Sequence, residues 1–137
     1  MLTHGQIDIL FSASEDCTPL WEAKWEAAPE SQRLSDAQRI QRGQEAIRRL
    51  LADGLIALYR CRSWQHTQEM PVPPEEWEGV VADVSNWRSS MEDDEAETVS
   101  QAIFCFFITD KGKDYYIHAP EVTAYHQTKW YSAHSRM

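Results

Sequence analysis

Apolar residues recur at helical spacing through the first third of the chain and predict three helices there. The first helix covers residues 6–14, and its apolar face is formed by Ile7, Leu10 and Phe11. Thr18 followed by Pro19 predicts the start of the second helix, because threonine caps helix starts and proline suits the first helical position. That helix extends to residue 28, and its apolar face is formed by Leu20, Trp21, Trp25 and Ala28.

The third helix has the clearest boundaries. Ser35 and Gln38 have the spacing of a capping box, in which each side chain accepts a hydrogen bond from the other residue's backbone N–H. Gly54 stands where a left-handed C-terminal cap is favoured. We therefore expect a helix over residues 36–53. Its apolar face is formed by Ile40, Ile47, Leu50 and Leu51, and Gly43 occupies the remaining position on that face.

Two strands are predicted beyond the third helix. LIALYRCR, residues 55–62, reads as one strand, and AIFCFFIT, residues 102–109, is an apolar and aromatic run typical of a buried strand. Between them, a proline-rich break leads into a fourth helix over residues 74–84. Residues 88–100 predict a solvated acidic loop.

Two stretches resemble the winged helix-turn-helix superfamily. EAIRRLLADGLIALYR is a helix that ends in glycine and leads straight into a strand, and ITDKGKDYY is a strand followed by a short helix that Thr109 caps. The resemblance covers roughly residues 35–62 and 103–116. It implies an α+β, winged-helix-like fold, with three N-terminal helices and a small two-stranded antiparallel sheet. The length suits one domain, residues 1–137. No helix or strand is predicted for the tail, residues 119–137.

The segment between the predicted strands departs from that superfamily. A winged helix usually joins these strands by a short basic wing that touches the DNA backbone, whereas residues 63–100 hold ten acidic residues and one basic residue, Arg88. The chain has a net charge of −9, and residues 31–62 form a basic island of +4 beside this acidic insert. Phosphate would repel an insert of this charge.

The acidic insert is the first candidate site. It would present a phosphate-like charge pattern to a basic protein such as a nuclease toxin, and tryptophan is enriched at binding hot spots. The predicted partner-binding residues are Glu75, Glu76, Trp77, Trp87, Glu92, Asp93, Asp94 and Glu95. The same acids are also typical of a solubilising loop and of a helix start. The first hypothesis is a non-catalytic immunity or antitoxin-type protein that binds and blocks a basic partner.

The basic island supports a second hypothesis, a winged-helix transcriptional regulator. If the third helix is a recognition helix, its arginines would contact guanine edges or phosphates. The predicted DNA-binding residues are Arg39, Arg42, Arg48 and Arg49. Such a regulator would act as a homodimer that spans two half-sites. Surface salt bridges such as Glu45–Arg49 would explain the same residues without DNA.

No catalytic or metal-binding motif is evident. The chain has no glycine-rich phosphate loop, GxSxG or HExxH motif, and its five histidines form no close-spaced ligand set, so we predict no enzyme activity, metal or cofactor. Cys61 and Cys105 would meet if the predicted strands pair, but four zinc ligands at the usual spacing are absent. Both are interpreted as inert thiols buried in strands.

The sequence also indicates a compartment. The N-terminus, MLTHGQIDILFSASED, has no basic leader, and no stretch of the chain approaches the roughly 20 apolar residues that span a bilayer. Three scattered cysteines argue against a disulfide framework. We expect a bacterial-type cytoplasmic protein that does not associate with membranes.

Overall fold

The computed structural model describes residues 1–15, 17–27, 33–61, 70–88 and 103–134, with side chains up to residue 127. These ranges hold six α-helices and one four-stranded antiparallel sheet, so the predicted α+β class is confirmed. The helices are α1 His4–Glu15, α2 Leu20–Glu26, α3 Asp36–Ala52, α4 Trp77–Ala82, α5 Asp110–His118 and α6 Pro120–His134. The strands are β1 Thr18–Pro19, β2 Ile56–Cys61, β3 Met70–Pro71 and β4 Ile103–Ile108, in the sheet order β1-β4-β2-β3.

Helix α3 begins and ends as its sequence predicts. The Ser35 hydroxyl accepts a hydrogen bond from the Gln38 backbone N–H, and the Gln38 side chain accepts one from the Ser35 backbone N–H. Gly54 follows the helix with φ +72°, in the left-handed region that a side chain disfavours. The buried face of α3 packs into the main core and is formed by Ile40, Gly43, Ala46, Ile47, Leu50 and Leu51.

The prediction for Thr18 and Pro19 was wrong. Both residues belong to β1, which pairs with Phe106 and Cys105 of β4, and α2 begins only at Leu20. The Thr18 hydroxyl donates to the Ser12 carbonyl oxygen and does not cap the helix. Proline tolerates this place because β1 is an edge strand, where a missing N–H costs little.

The predicted apolar face of α2 also needs correction. The buried residues of the helix are Leu20, Ala23 and Lys24, whereas Trp25 is 53% exposed. The Trp25 ring covers the Arg39 guanidinium of α3, whose centre lies 5.0 Å from the ring centroid. The tryptophan therefore reaches α3 at the protein surface and not through the core.

Strands β2 and β4 pair along their whole length, from Ile56 opposite Ile108 to Cys61 opposite Ile103. This is the predicted antiparallel pair, but β1 and β3 extend it at the two edges. Because side chains alternate between the faces of a strand, Ile56, Leu58 and Phe106 share the face that packs into the main core. The other face carries Tyr59 and Phe107, whose rings meet edge to face.

The region predicted as a fourth helix is divided into three pieces. A 3₁₀ turn over Pro74–Glu76 leads into α4, and a second 3₁₀ turn over Val84–Trp87 follows it. Asp83 lies between α4 and the second 3₁₀ turn and has an extended backbone, ψ +107°. Its carboxylate accepts a hydrogen bond from the Ser85 backbone N–H. Among the described residues, no helix combines the length and apolar character needed to cross a membrane.

Candidate functional site

Four exposed carboxylates lie on α4 and on the residues that flank it. We call Glu75, Glu76, Glu78 and Asp83 the acidic surface. The Asp83 pKa is held below its usual range by hydrogen bonds from the Ser85 hydroxyl and backbone N–H, so Asp83 is charged at neutral pH. The acidic surface therefore presents several negative charges on a short length of chain.

Two tryptophans attach the acidic surface to the rest of the fold. Trp77 is half-buried and donates its indole N–H to the Val72 carbonyl oxygen at 2.8 Å. Trp87 is fully buried and donates its indole N–H to the Val81 carbonyl oxygen at 2.9 Å. The ring of Trp87 approaches Gly43 of α3 so closely that a Cβ there would lie 2.6 Å from it.

Helix α3 holds the other side of α4. The Gln44 side-chain amide donates to the Val81 carbonyl oxygen at 2.9 Å. The Arg48 guanidinium donates hydrogen bonds to both carboxylate oxygens of Glu78, and its Nη2 lies 2.8 Å from Oε1. Paired donors of this kind fix geometry as well as charge. The backbone that carries the acidic surface is thus held in place from two directions.

The predicted partner-binding residues fall into three groups. Glu75 and Glu76 are exposed, and Trp77 is half-buried beside them. Trp87 belongs to the core, so we correct its predicted place on a binding surface: it supports that surface from below. Glu92, Asp93, Asp94 and Glu95 lie outside the described residues.

The predicted DNA-binding residues all lie on α3, but three of them make contacts within the chain. Arg39 lies over the Trp25 ring, Arg48 pairs with Glu78, and Arg49 pairs with Asp53 at 2.8 Å. Arg42 is exposed. Because α4 packs on α3 through Gln44 and Arg48, α4 covers part of the helix that would enter a DNA groove.

A cluster of three thiols lies elsewhere in the sheet. The Sγ atoms of Cys17, Cys61 and Cys105 lie within 4.8 Å of one another, and all three side chains are buried. A hydrogen bond with Cys105, together with burial and the nearby thiols, raises the pKa of Cys17 above its ordinary value. Sequence reasoning anticipated the approach of Cys61 and Cys105 but missed Cys17, since that required β1 to pair with β4.

No family model matches this chain, and no curated protein or solved structure matches it. Its function has to be inferred from its own residues.

Proposed function

We propose that this protein is a non-catalytic binding protein of the immunity or antitoxin kind, which binds a basic protein and blocks it. The observation that carries the proposal is the acidic surface and its rigid attachment through Trp77, Trp87 and the Arg48–Glu78 pair. A surface fixed before binding loses little conformational entropy when a partner arrives. Its charges would accelerate association with a basic surface, most strongly at low salt.

Apolar contact area is present on the same stretch of chain. Met70 of β3 is 66% exposed and Val84, next to Asp83, is 44% exposed. Protein interfaces combine an apolar centre with a polar rim, and charged residues are depleted at the centre. Met70 and Val84 would supply apolar contacts, while the carboxylates would set orientation and partner choice.

A winged-helix DNA-binding regulator is the second candidate. The regulator is supported by strand β2, which follows α3 directly and pairs with β4, because the resemblance to winged-helix proteins implies this pairing. Arg42 would then contact DNA, with a homodimer spanning two half-sites. We rank it second because Arg39, Arg48 and Arg49 make internal contacts and because α4, which carries acidic residues, packs on α3.

A capture experiment separates the candidates. The tagged protein is incubated with lysate of its own cells at low and high salt, with and without nuclease. The test variant is E75Q/E76Q, and the matched control is E22Q/D114N, which removes the same charge from exposed residues of α2 and α5.

The proposal predicts one basic protein captured in equal molar amount, independent of nuclease, weakened by E75Q/E76Q and by salt, and unaffected by E22Q/D114N. Capture of DNA fragments that share one site, lost on Arg42→Ala, would establish the regulator instead. Equal capture by the test and control variants would refute a role for the acidic surface.

A further inference from the structure

The three thiols come from separate elements of the sheet. Cys105 lies on the central strand β4, Cys61 ends β2, and Cys17 immediately precedes β1. Cys105 is opposite Tyr59, which is two residues from Cys61, so Cys61 and Cys105 share the face of the sheet that points away from the main core. Three hydrophobic side chains pack against the cluster, those of Tyr59, Ile103 and Phe107.

The sulfur positions match those of ligands around a single ion. The Sγ atoms of Cys17 and Cys61 are 3.9 Å apart, and no pair in the cluster exceeds 4.8 Å. Three sulfurs bonded to one ion at about 2.3 Å, the length of a zinc–thiolate bond, lie roughly 3.5 to 4.0 Å apart in pyramidal or planar geometry. Small side-chain rotations would close the remaining gap.

The ligand set selects a soft ion. Among the described residues the cluster consists of thiols alone, and sulfur ligands favour thiophilic ions over magnesium, calcium or manganese. Structural zinc sites take four ligands, one more than the cluster offers within the described part of the chain. An ion that is complete with three sulfurs suits it better.

Charge balance narrows the choice further. The cysteines are between 0% and 3% exposed and pack against hydrophobic side chains, and a net charge is costly at such a buried position. Three thiolates around a monovalent or divalent ion leave a negative complex, whereas three thiolates around a trivalent ion leave a neutral one. Neutrality therefore favours a trivalent, three-coordinate metalloid.

We propose that Cys17, Cys61 and Cys105 form a binding site for a trivalent thiophilic metalloid, with arsenous acid as the simplest ligand of that class. Three As–S bonds form and three As–O bonds break. Each S–H proton leaves with a hydroxide as water, so three waters are released and neither arsenic nor sulfur changes oxidation state. The site is independent of the proposed acidic binding surface.

The test is a titration of the purified, reduced full-length protein with arsenite, read by native mass spectrometry and by alkylation of the thiols. We expect one arsenic per chain, a mass gain of one arsenic atom less three hydrogens, and protection of all three cysteines from alkylation. We also expect arsenite to raise the melting temperature of the wild-type protein, a readout that needs no variant.

The variants Cys17→Ala, Cys61→Ala and Cys105→Ala should each lower the affinity by more than about a hundredfold, since losing even a supporting residue of a metal site costs ten- to a hundredfold. Circular dichroism shows whether each variant is folded, and wild-type protection stands if one is not. Absence of bound arsenic in the wild type would overturn the proposal. Protection of only two thiols, or undiminished binding by a folded variant, would also overturn it.

Discussion

Lys24 is the one charged side chain that is fully buried among the described residues. Its ammonium lies 3.1 Å from the carboxylate of Asp36, the first residue of α3. A buried charge is tolerated when it is paired, and removing one partner costs far more than replacing the charged residue by an apolar one of similar size. The contact joins α2 to α3 and should carry a measurable part of the stability.

We expect Asp36→Ala to lower the free energy of unfolding by about 3 kcal/mol, because the buried ammonium loses this contact with a carboxylate. Lys24→Met should lower it by less than about 1 kcal/mol. Asp110→Ala is the matched control, since Asp110 also follows a capping residue at the start of a helix but forms no salt bridge with any described residue. Urea unfolding measures all three, and equal losses for Asp36→Ala and Asp110→Ala would contradict this role of Lys24.

At the element scale, two glycines have opposite surroundings. Gly112 lies in the first turn of α5, close to Leu55 just before β2, where an added Cβ would lie 2.1 Å from the Leu55 carbonyl oxygen and 2.7 Å from Cγ1 of Ile108. Gly79 lies in α4 with no atom within 4 Å of such a Cβ. Residue 112 must be glycine for this close packing. Gly79 destabilises its helix through the conformational freedom of glycine, and no neighbouring atom requires it.

Gly79→Ala should therefore raise the free energy of unfolding by up to about 1 kcal/mol, the difference in helix propensity. Gly112→Ala should lower it by about 3 kcal/mol or more, since backbone atoms would have to move. Thermal and urea unfolding of the two variants test this directly. A destabilised Gly79→Ala would mean that α4 packs more closely than the structure indicates.

Elements with local sequence signals were predicted better than elements that depend on tertiary pairing. The capping box at Ser35 and the glycine at residue 54 are local signals, so α3 and the strand after it were predicted closely. Strand β1 has two residues and no periodicity, and it exists only because β4 lies beside it. Tertiary pairing of this kind cannot be seen in a local pattern, and the place of Cys17 beside Cys61 and Cys105 was missed for the same reason.

The candidate acidic site was predicted unevenly. Charge alone indicated that Glu75 and Glu76 are exposed, and they are. The position of Trp87 depended on the break at Asp83, which turns the chain and directs the indole into the core. Similarly, the internal pair of Arg48 with Glu78 joins residues from distant parts of the sequence.

The C-terminal helix α6 is bonded to residues near the N-terminus and to α5. Glu121 accepts hydrogen bonds from the Leu2 backbone N–H at 3.0 Å and from the Tyr115 hydroxyl at 2.6 Å. Tyr125 donates to Asp8 at 2.9 Å, and its ring stacks on His4. No element was predicted in this region because the apolar residues of α6 do not recur on one face.

These bonds predict a pH dependence. The Tyr115 hydrogen bond lowers the pKa of Glu121 from 4.5, so its stabilisation is present above pH 4.5 and is lost as pH falls through the lowered pKa. The bond to Glu121 raises the pKa of Tyr115 from 10.0 to about 12, so this stabilisation is present below pH 10 and is lost as pH rises towards 12. Tyr115→Phe should weaken the pH dependence at both ends.

Urea unfolding at acidic, neutral and alkaline pH checks this prediction, with Tyr59→Phe as the control because Tyr59 lies on the opposite side of the sheet from the main core. An absorbance titration of the phenols should show one late-ionising group fewer in Tyr115→Phe than in the wild type. An unchanged titration curve would rule out the Tyr115–Glu121 bond.

The proposed function requires the acidic surface to be covered when a basic protein binds. Carbodiimide labelling of carboxylates, read by mass spectrometry in the free protein and in the complex with its captured partner, measures whether it is. We predict that Glu75, Glu76 and Asp83 react more slowly in the complex, while Glu22 and Asp114 react at the same rate. Unchanged labelling of the acidic surface in a stable complex would contradict it and would place the partner elsewhere on the protein.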